Sequence, residues 1–172
     1  MPNLPDISGF VNNFTALANG LSTLIMVISA PVGLVFFLSA GIMLIKGSNG
    51  REPVEWGRVA GAVMIGTMLM QFVRSVDNTA QVVTGSGVTS YTNAMQYVPI
   101  ANQSSFWQSV LLACFAWVSA MGWAGCFRGL LLWKKATNGR SAQGDEVWRG
   151  ATHLIGGVFA INIAVFLQNV FA

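Results

Sequence analysis

Four long apolar segments alternate with polar stretches along the chain. They are Leu21–Ile45, Val59–Val73, Phe106–Trp133 and Ala151–Phe171. The first contains no charged residue and, at about 1.5 Å per residue, can cross a hydrocarbon core of about 30 Å. The second is short for a crossing and can be extended along Ser75–Val83, the third is interrupted by Arg128, and the fourth contains Asn162 but no formal charge. The pattern predicts four membrane helices.

A shorter amphipathic stretch precedes the first apolar segment. Its apolar residues recur at helical spacing on one side: Ile7, Phe10, Val11, Phe14 and Leu17. Asp6 is well placed as the N-cap. Because the stretch has no lysine or arginine, it does not match a basic helix that binds lipid surfaces. We expect residues 1–20 to form a short interfacial helix or a packing element against a neighbouring subunit.

The composition favours an integral membrane protein. Of the 172 residues, 53% are hydrophobic and only 9% are charged, whereas an ordinary soluble domain carries about a quarter charged residues. So few charges cannot cover the water-facing surface of a globule of this size. A disordered chain would need low hydrophobicity and high charge. The expected fold class is therefore all-α and membrane-embedded, without a cleaved signal peptide, because no lysine or arginine precedes Lys46.

Positive charge is confined to positions that flank the apolar segments. The net charge is +3, and the connections 46–58 and 134–149 are rich in lysine and arginine. The N-terminal region and the middle segment 75–105 have none. Because lysine and arginine favour the cytoplasmic side, both short connections are expected in the cytoplasm. Both termini and the middle segment are then expected outside, which fits four crossings.

The two halves of the chain resemble each other around these basic connections. Gly41–Arg51 resembles Gly129–Arg140 if one inserted residue is allowed. Each stretch is followed by a glutamate and a tryptophan close to an arginine, in Glu55–Arg58 and in Glu146–Arg149. Chance similarity between two apolar hairpins is the alternative, since membrane helices share composition. The matched polar positions favour duplication of a two-helix unit.

Counting onward from the two arginines extends the match. Gly66 then corresponds to Gly157, and the amide residue Gln71 corresponds to Asn162. Each unit is expected to be a helical hairpin whose two ends lie on the outer side of the membrane. The two units therefore have the same orientation and are parallel repeats. The chain is accordingly divided into an interfacial helix (1–20), a first helical hairpin (21–84), a polar extracytoplasmic connection (85–105) and a second helical hairpin (106–172).

Two sets of residues are candidates for function. Small residues at four-residue spacing allow close approach of membrane helices, and the candidates for helix packing are Gly57, Gly61, Gly125, Gly129, Gly156 and Gly157. The basic residues expected to face lipid head groups or a lumen are Lys46, Arg51, Arg58, Arg128, Lys134, Lys135, Arg140 and Arg149. For Arg128, the alternative is a side chain that extends to the cytoplasmic interface without any further role.

Residues for catalysis or metal binding are sparse. His153 is the one histidine, and a metal site needs several ligands. Cys114 and Cys126 are separated by roughly 18 Å along one helix, so they cannot form a disulfide with each other. No acidic residue lies within an apolar segment to relay protons. We expect neither enzymatic activity nor a cofactor, apart from bound phospholipid.

Part of the second half resembles a known family. The stretches Phe127–Ala136, Trp148–Gly157 and Ala160–Asn162 are similar to the IcmC/DotE proteins of type IVB secretion systems and to the TraQ-like conjugal transfer proteins of plasmids. The resemblance implies a small multi-spanning component of the bacterial inner membrane, within a machine that moves DNA or effector proteins between cells.

Each half is also similar in plan to the two-helix pilins of conjugative type IV systems. Those pilins have two apolar helices joined by a short basic loop that faces the filament lumen beside phospholipid. The chain departs from that plan in its polar middle segment, 75–105, and in having no recognisable long leader.

Three functions are compatible with these features. The leading hypothesis is a structural subunit, stored in the inner membrane, that polymerises into a conjugative pilus or transfer channel. Its expected partners are other copies of itself, phospholipid, further secretion components and, transiently, single-stranded DNA. The second hypothesis is a non-polymerising assembly component of the same machine. The third is a small ion or solute channel, which would need a polar helix face.

Overall fold

The computed structural model describes residues 7–50, 53–97, 105–137 and 145–171. These residues are almost entirely helical and include no strand, which confirms the all-α class. The α-helices are α1 (Ile7–Ser48), α2 (Trp56–Met70), α3 (Phe72–Thr84), α4 (Ser105–Thr137), α5 (Asp145–Ile161) and α6 (Ile163–Phe171). A 3-10 helix, Tyr91–Tyr97, lies in the polar connection between α3 and α4.

Two of these helices, α1 and α4, are long and apolar enough to cross a membrane. A third candidate arises if α2 and α3 together form one span, although the two helices are bent by 95° relative to each other. Helix α5 has 17 residues, which at about 1.5 Å per residue is shorter than the hydrocarbon core. The fold therefore contains two or three candidate spans, and the count of four stays a prediction.

A separate helix was expected over residues 1–20, but its described part, residues 7–20, is the beginning of α1. Helix α1 continues without interruption from Ile7 to Ser48 and includes Pro31. Its first turns are held by α4, because the indole Nε1 of Trp117 donates to the carbonyl oxygen of Phe14 at 3.2 Å. Asp6, the expected N-cap, lies outside the described residues.

The helices pair as two antiparallel hairpins. In the first, Gly47 contacts Val54 beside the turn, and deeper in the pair Gly33 of α1 faces Gly66 of α2. In the second, α4 and α5 pair in the same way. The two hairpins meet with α1 and α4 side by side and parallel, since Phe14 of α1 contacts Trp117 of α4 and Phe36, further along α1, contacts Lys134, further along α4.

Each hairpin contains one broken helix, and the break falls on an amide residue. Gln71 separates α2 from α3, and Asn162 separates α5 from α6. At the first break, the Ser75 hydroxyl donates to the carbonyl oxygen of Met68 at 3.1 Å. This hydrogen bond satisfies an acceptor that the broken helix leaves free. The two amides that the repeat aligns are therefore the two interruption points.

The largest core lies between the hairpins. Its buried side chains come from α2, α3, α4 and α5: Ile65, Leu69, Phe72, Val76, Ala80, Trp123, Cys126, Leu130, Leu154, Val158 and Ile161. Phe72 meets Trp123 and Phe127 edge-on, at centroid distances of 5.7 and 5.9 Å. Helix α1 differs, because only 11% of its most apolar 18-residue stretch is buried. Most of the apolar surface of α1 is thus open to lipid or to other molecules.

Candidate functional site

The helices of the first hairpin cross at a pair of facing glycines. A Cβ atom on Gly33 would lie 2.6 Å from the carbonyl oxygen of Gly66 and 2.6 Å from the amide nitrogen of Met70. A Cβ atom on Gly66 would lie 2.9 Å from the carbonyl oxygen of Gly33 and 3.0 Å from the nitrogen of Phe37. Both positions therefore require glycine for the two backbones to approach this closely.

The second hairpin repeats these backbone contacts at equivalent positions. A Cβ atom on Gly122 would lie 2.7 Å from the carbonyl oxygen of Gly157 and 2.9 Å from the nitrogen of Ile161. A Cβ atom on Gly157 would lie 2.6 Å from the carbonyl oxygen of Gly122 and 2.9 Å from the nitrogen of Cys126. In both hairpins, a Cβ atom on either glycine would meet the carbonyl oxygen of the facing glycine. It would also meet the backbone nitrogen four residues after that facing glycine. This shared geometry supports the duplication.

The six glycines predicted to pack helices fall into two groups. Gly125 approaches the His153 carbonyl oxygen, Gly129 approaches that of Gly150, and Gly61 meets the side chain of Thr137, so these three and Gly157 lie at helix contacts. At Gly57 and Gly156, a Cβ atom would have no neighbour within 4 Å among the described residues of other elements. The spacing of the small residues did not single out Gly122 or Gly150, which also lie at helix contacts.

Two basic side chains of the first hairpin, those of Lys46 and Arg58, line the same cavity. Lys46 and Arg58 line a space of about 310 Å³ beside the turn, with apolar walls that include Met43 and Val54. The Nε atom of Arg58 lies 2.5 Å from a carboxylate oxygen of Glu55. The cavity therefore combines two cations with an apolar floor at one end of the hairpin, and Glu55 offsets part of the charge.

The basic side chains of the second hairpin are distributed differently. Lys134 is 7% exposed, and its ammonium group lies 5.6 Å from the ring centroid of Phe36 in the first hairpin. Lys135 forms an ion pair with Glu146, and the pair of Arg149 with Asp145 measures 2.7 Å. Lys134 therefore joins the two hairpins through a cation–π contact, while the other two cations remain near the turn.

Of the remaining predicted basic residues, only Arg128 lies within the described ranges. Arg128 is exposed on α4, a little over two turns before the helix ends. Arg51 and Arg140 lie outside the described residues. The structure therefore brings Lys46, Arg58 and Lys134 towards one end of the bundle.

The opposite end of the bundle is polar and held together by hydrogen bonds. The Asn162 side-chain oxygen accepts from the backbone nitrogen of Thr89 at 2.8 Å and from the Thr89 hydroxyl at 3.2 Å. An Asp77 oxygen accepts from the nitrogen of Val88 at 2.7 Å. The hydroxyl of Tyr91 donates to the side-chain oxygen of Asn19 at 3.0 Å. These bonds attach the polar connection to both hairpins.

The described ranges also include potential metal ligands and both cysteines. No group of three or more potential ligands that could hold a metal ion occurs there. Cys114 is exposed, and the buried thiol of Cys126 donates to the carbonyl oxygen of Leu154 at 3.7 Å. The candidate site is therefore the basic end of the hairpins together with the glycine crossings that position it.

Comparison with known proteins adds no relative. No family model, no curated protein and no solved structure matches the chain significantly.

Proposed function

We propose that this chain is a structural subunit of a conjugative or type IVB secretion apparatus. It is a pilin-like protein, held in the bacterial inner membrane, that polymerises into the pilus or transfer channel. The observation that carries the proposal is the pair of hairpins with equivalent glycine crossings at Gly33–Gly66 and Gly122–Gly157, each with a basic turn. Within one chain, two equivalent units pack against each other, as repeated subunits do in an assembly.

The surface of α1 is consistent with assembly. Large apolar side chains are exposed from its first turns to its last, Phe10 at 67% and Ile45 at 62%. The described residues place most of their basic side chains at one end, where a filament of this plan exposes its loops.

The basic end offers contacts for phospholipid phosphate. Lys46 and Arg58 line a cavity with apolar walls, which suits a head group whose acyl chains continue into the membrane. Each such basic residue near an acidic membrane surface contributes about 1 kcal/mol. In an assembled channel, the same residues would contact the backbone of single-stranded DNA during transfer.

The test is to isolate surface filaments from cells that carry this chain. Filaments sheared from the cell surface should be visible by electron microscopy, and mass spectrometry should identify this chain as their main subunit. A strain lacking the chain is the control and should yield none. Filaments built from a different sole subunit would refute the pilin-like role.

The alternative role as a non-polymerising assembly component predicts a different outcome of the same preparation. The chain would then be absent from the sheared fraction, present in few copies per cell, and recovered from detergent in a discrete complex.

A further inference from the structure

A regular apolar pattern runs along the exposed side of α1. Counting along the helix from Phe10 by four and three residues in turn, every position up to Ile45 is apolar, and Pro31 is one of these positions. The first positions are Phe10, Phe14, Leu17, Leu21 and Leu24, and we call the full set the α1 seam. This average period of 3.5 residues is the repeat of helices that pack along their whole length against another helix.

The α1 seam is largely unused within the chain. Leu17 is 61% exposed, and Val35 further along is 62% exposed. The residues of α1 that the fold buries, such as Ala18 and Ala40, lie on a neighbouring face of the helix. Phe14 is partly covered by Trp117, and Leu21 is half-buried. The remaining seam residues named here face away from α2 and α4.

The hydrocarbon core alone cannot cover the whole seam. From Phe10 to Ile45 an α-helix extends about 52 Å, whereas the hydrocarbon core is about 30 Å thick. Immersing both ends would require a tilt of about 55°, beyond the 0–40° range of membrane helices. If Ile45 lies at one edge of the core, Leu24 lies near the other, and Leu17 and Phe10 lie about 10 and 21 Å beyond it. Large apolar side chains outside the hydrocarbon core favour a protein partner.

The partner that fits best is a second copy of this chain. Copies inserted in one membrane with the same orientation hold their seams at the same depth. Residues 7–45 carry no charge, so nothing on the seam selects a partner of opposite charge. A heptad pattern matches another helix with the same pattern, parallel and in register.

We propose that the α1 seams of neighbouring copies pack against each other in parallel, both within the bilayer and beyond it. The proposal rests on the proposed function as a self-assembling subunit and names the surface that would be used. Leu17 of one copy then lies beside Leu17 of the next, while the preceding residue, Ala16, points elsewhere.

Disulfide cross-linking in native membranes tests this pairing. The full chain with Cys114→Ser and Cys126→Ala would receive a single cysteine at Leu17 or Leu24, or at the preceding exposed residues Ala16 or Thr23 as matched controls. After mild oxidation, non-reducing gels should show at least tenfold more dimer for Leu17→Cys and Leu24→Cys than for Ala16→Cys and Thr23→Cys. Equal yields, or none at the seam, would overturn the pairing.

A size measurement separates this inference from the proposed function. The unoxidised variants would be extracted in mild detergent, and their mass would be determined by light scattering. Oligomers without cross-links at the seam refute the seam but leave self-assembly in place. A monomer that also yields no seam cross-link and no surface filament refutes both.

Discussion

Replacing Gly157 by leucine is expected to disrupt the second hairpin, whereas the same replacement of Gly156 should leave it intact. A side chain at Gly157 would collide with the backbone of Gly122 and with Cys126, the first contact being 2.6 Å from its Cβ atom. Overpacking costs typically 1–3 kcal/mol and occasionally more. Because backbone atoms cannot move aside as a side chain can, we expect a loss of about 3 kcal/mol.

Thermal unfolding of the purified protein in detergent, followed by tryptophan fluorescence, measures this effect. A loss of this size corresponds to a Tm roughly 10 °C lower in a chain of this length. Gly156→Leu is the matched control, because a Cβ atom there has no neighbour within 4 Å among the described residues of other elements. If the two variants unfold at the same temperature, the close crossing of α4 and α5 is contradicted.

Replacing Asn162 by leucine is the second change with a large expected effect. The side-chain oxygen of Asn162 accepts hydrogen bonds from both the amide and the hydroxyl of Thr89. Leucine removes the acceptor and leaves these donors unsatisfied in a part-buried position, which costs about 1–3 kcal/mol. The connection between α3 and α4 should consequently detach from the second hairpin more readily.

Hydrogen exchange at the Thr89 amide gives the direct measurement, since the lost bond should reduce its protection about tenfold or more. Gln71→Leu is the matched control: Gln71 occupies the equivalent break in the first hairpin, but its side chain is exposed. Equal loss of stability in the two variants, or unchanged protection at Thr89 in Asn162→Leu, would contradict the role given to the Asn162 oxygen.

The repeat could be followed in the sequence because it is recorded in polar and glycine positions. The correspondences of Gly66 with Gly157 and of Gln71 with Asn162 come from counting residues, and the structure gives each pair the same place. Gly33 and Gly122 also occupy equivalent places in the structure. In the sequence alignment, however, the residue inserted in the second turn places these two glycines one position out of register. Two apolar stretches with no shared polar residue give no means to detect such a shift.

The length of α1 was less accessible to sequence reasoning. The amphipathic pattern near Phe10 and Phe14 differs from the uniformly apolar pattern after Leu21, and the change indicated two elements. No proline or charged residue separates them, and Gly20 alone weakens a helix by only about 1 kcal/mol. Packing of the first turns against Trp117 keeps the helix continuous, and that contact is tertiary information.

The positions of the basic residues show the same limit. Their enrichment in the connections indicates one end of each hairpin, as found for Lys46 and Arg58. The composition could not indicate that Lys134 turns inward over Phe36, because this depends on how α4 lies against α1. Likewise, beside the sharp bend at Gln71, α3 packs Phe72 against Trp123 and Phe127, and such contacts between helices cannot be inferred from composition.

The measurement that tests the central claim most directly is the sidedness of the two basic turns. In the same cysteine-free background, Asn49→Cys and Asn138→Cys mark the turns, and Val82→Cys marks the opposite end of the first hairpin. A membrane-impermeant maleimide should label Val82→Cys in intact spheroplasts and label both turn cysteines only in inverted vesicles. Labelling of Asn49→Cys and Asn138→Cys from opposite sides would contradict two parallel copies of one membrane hairpin.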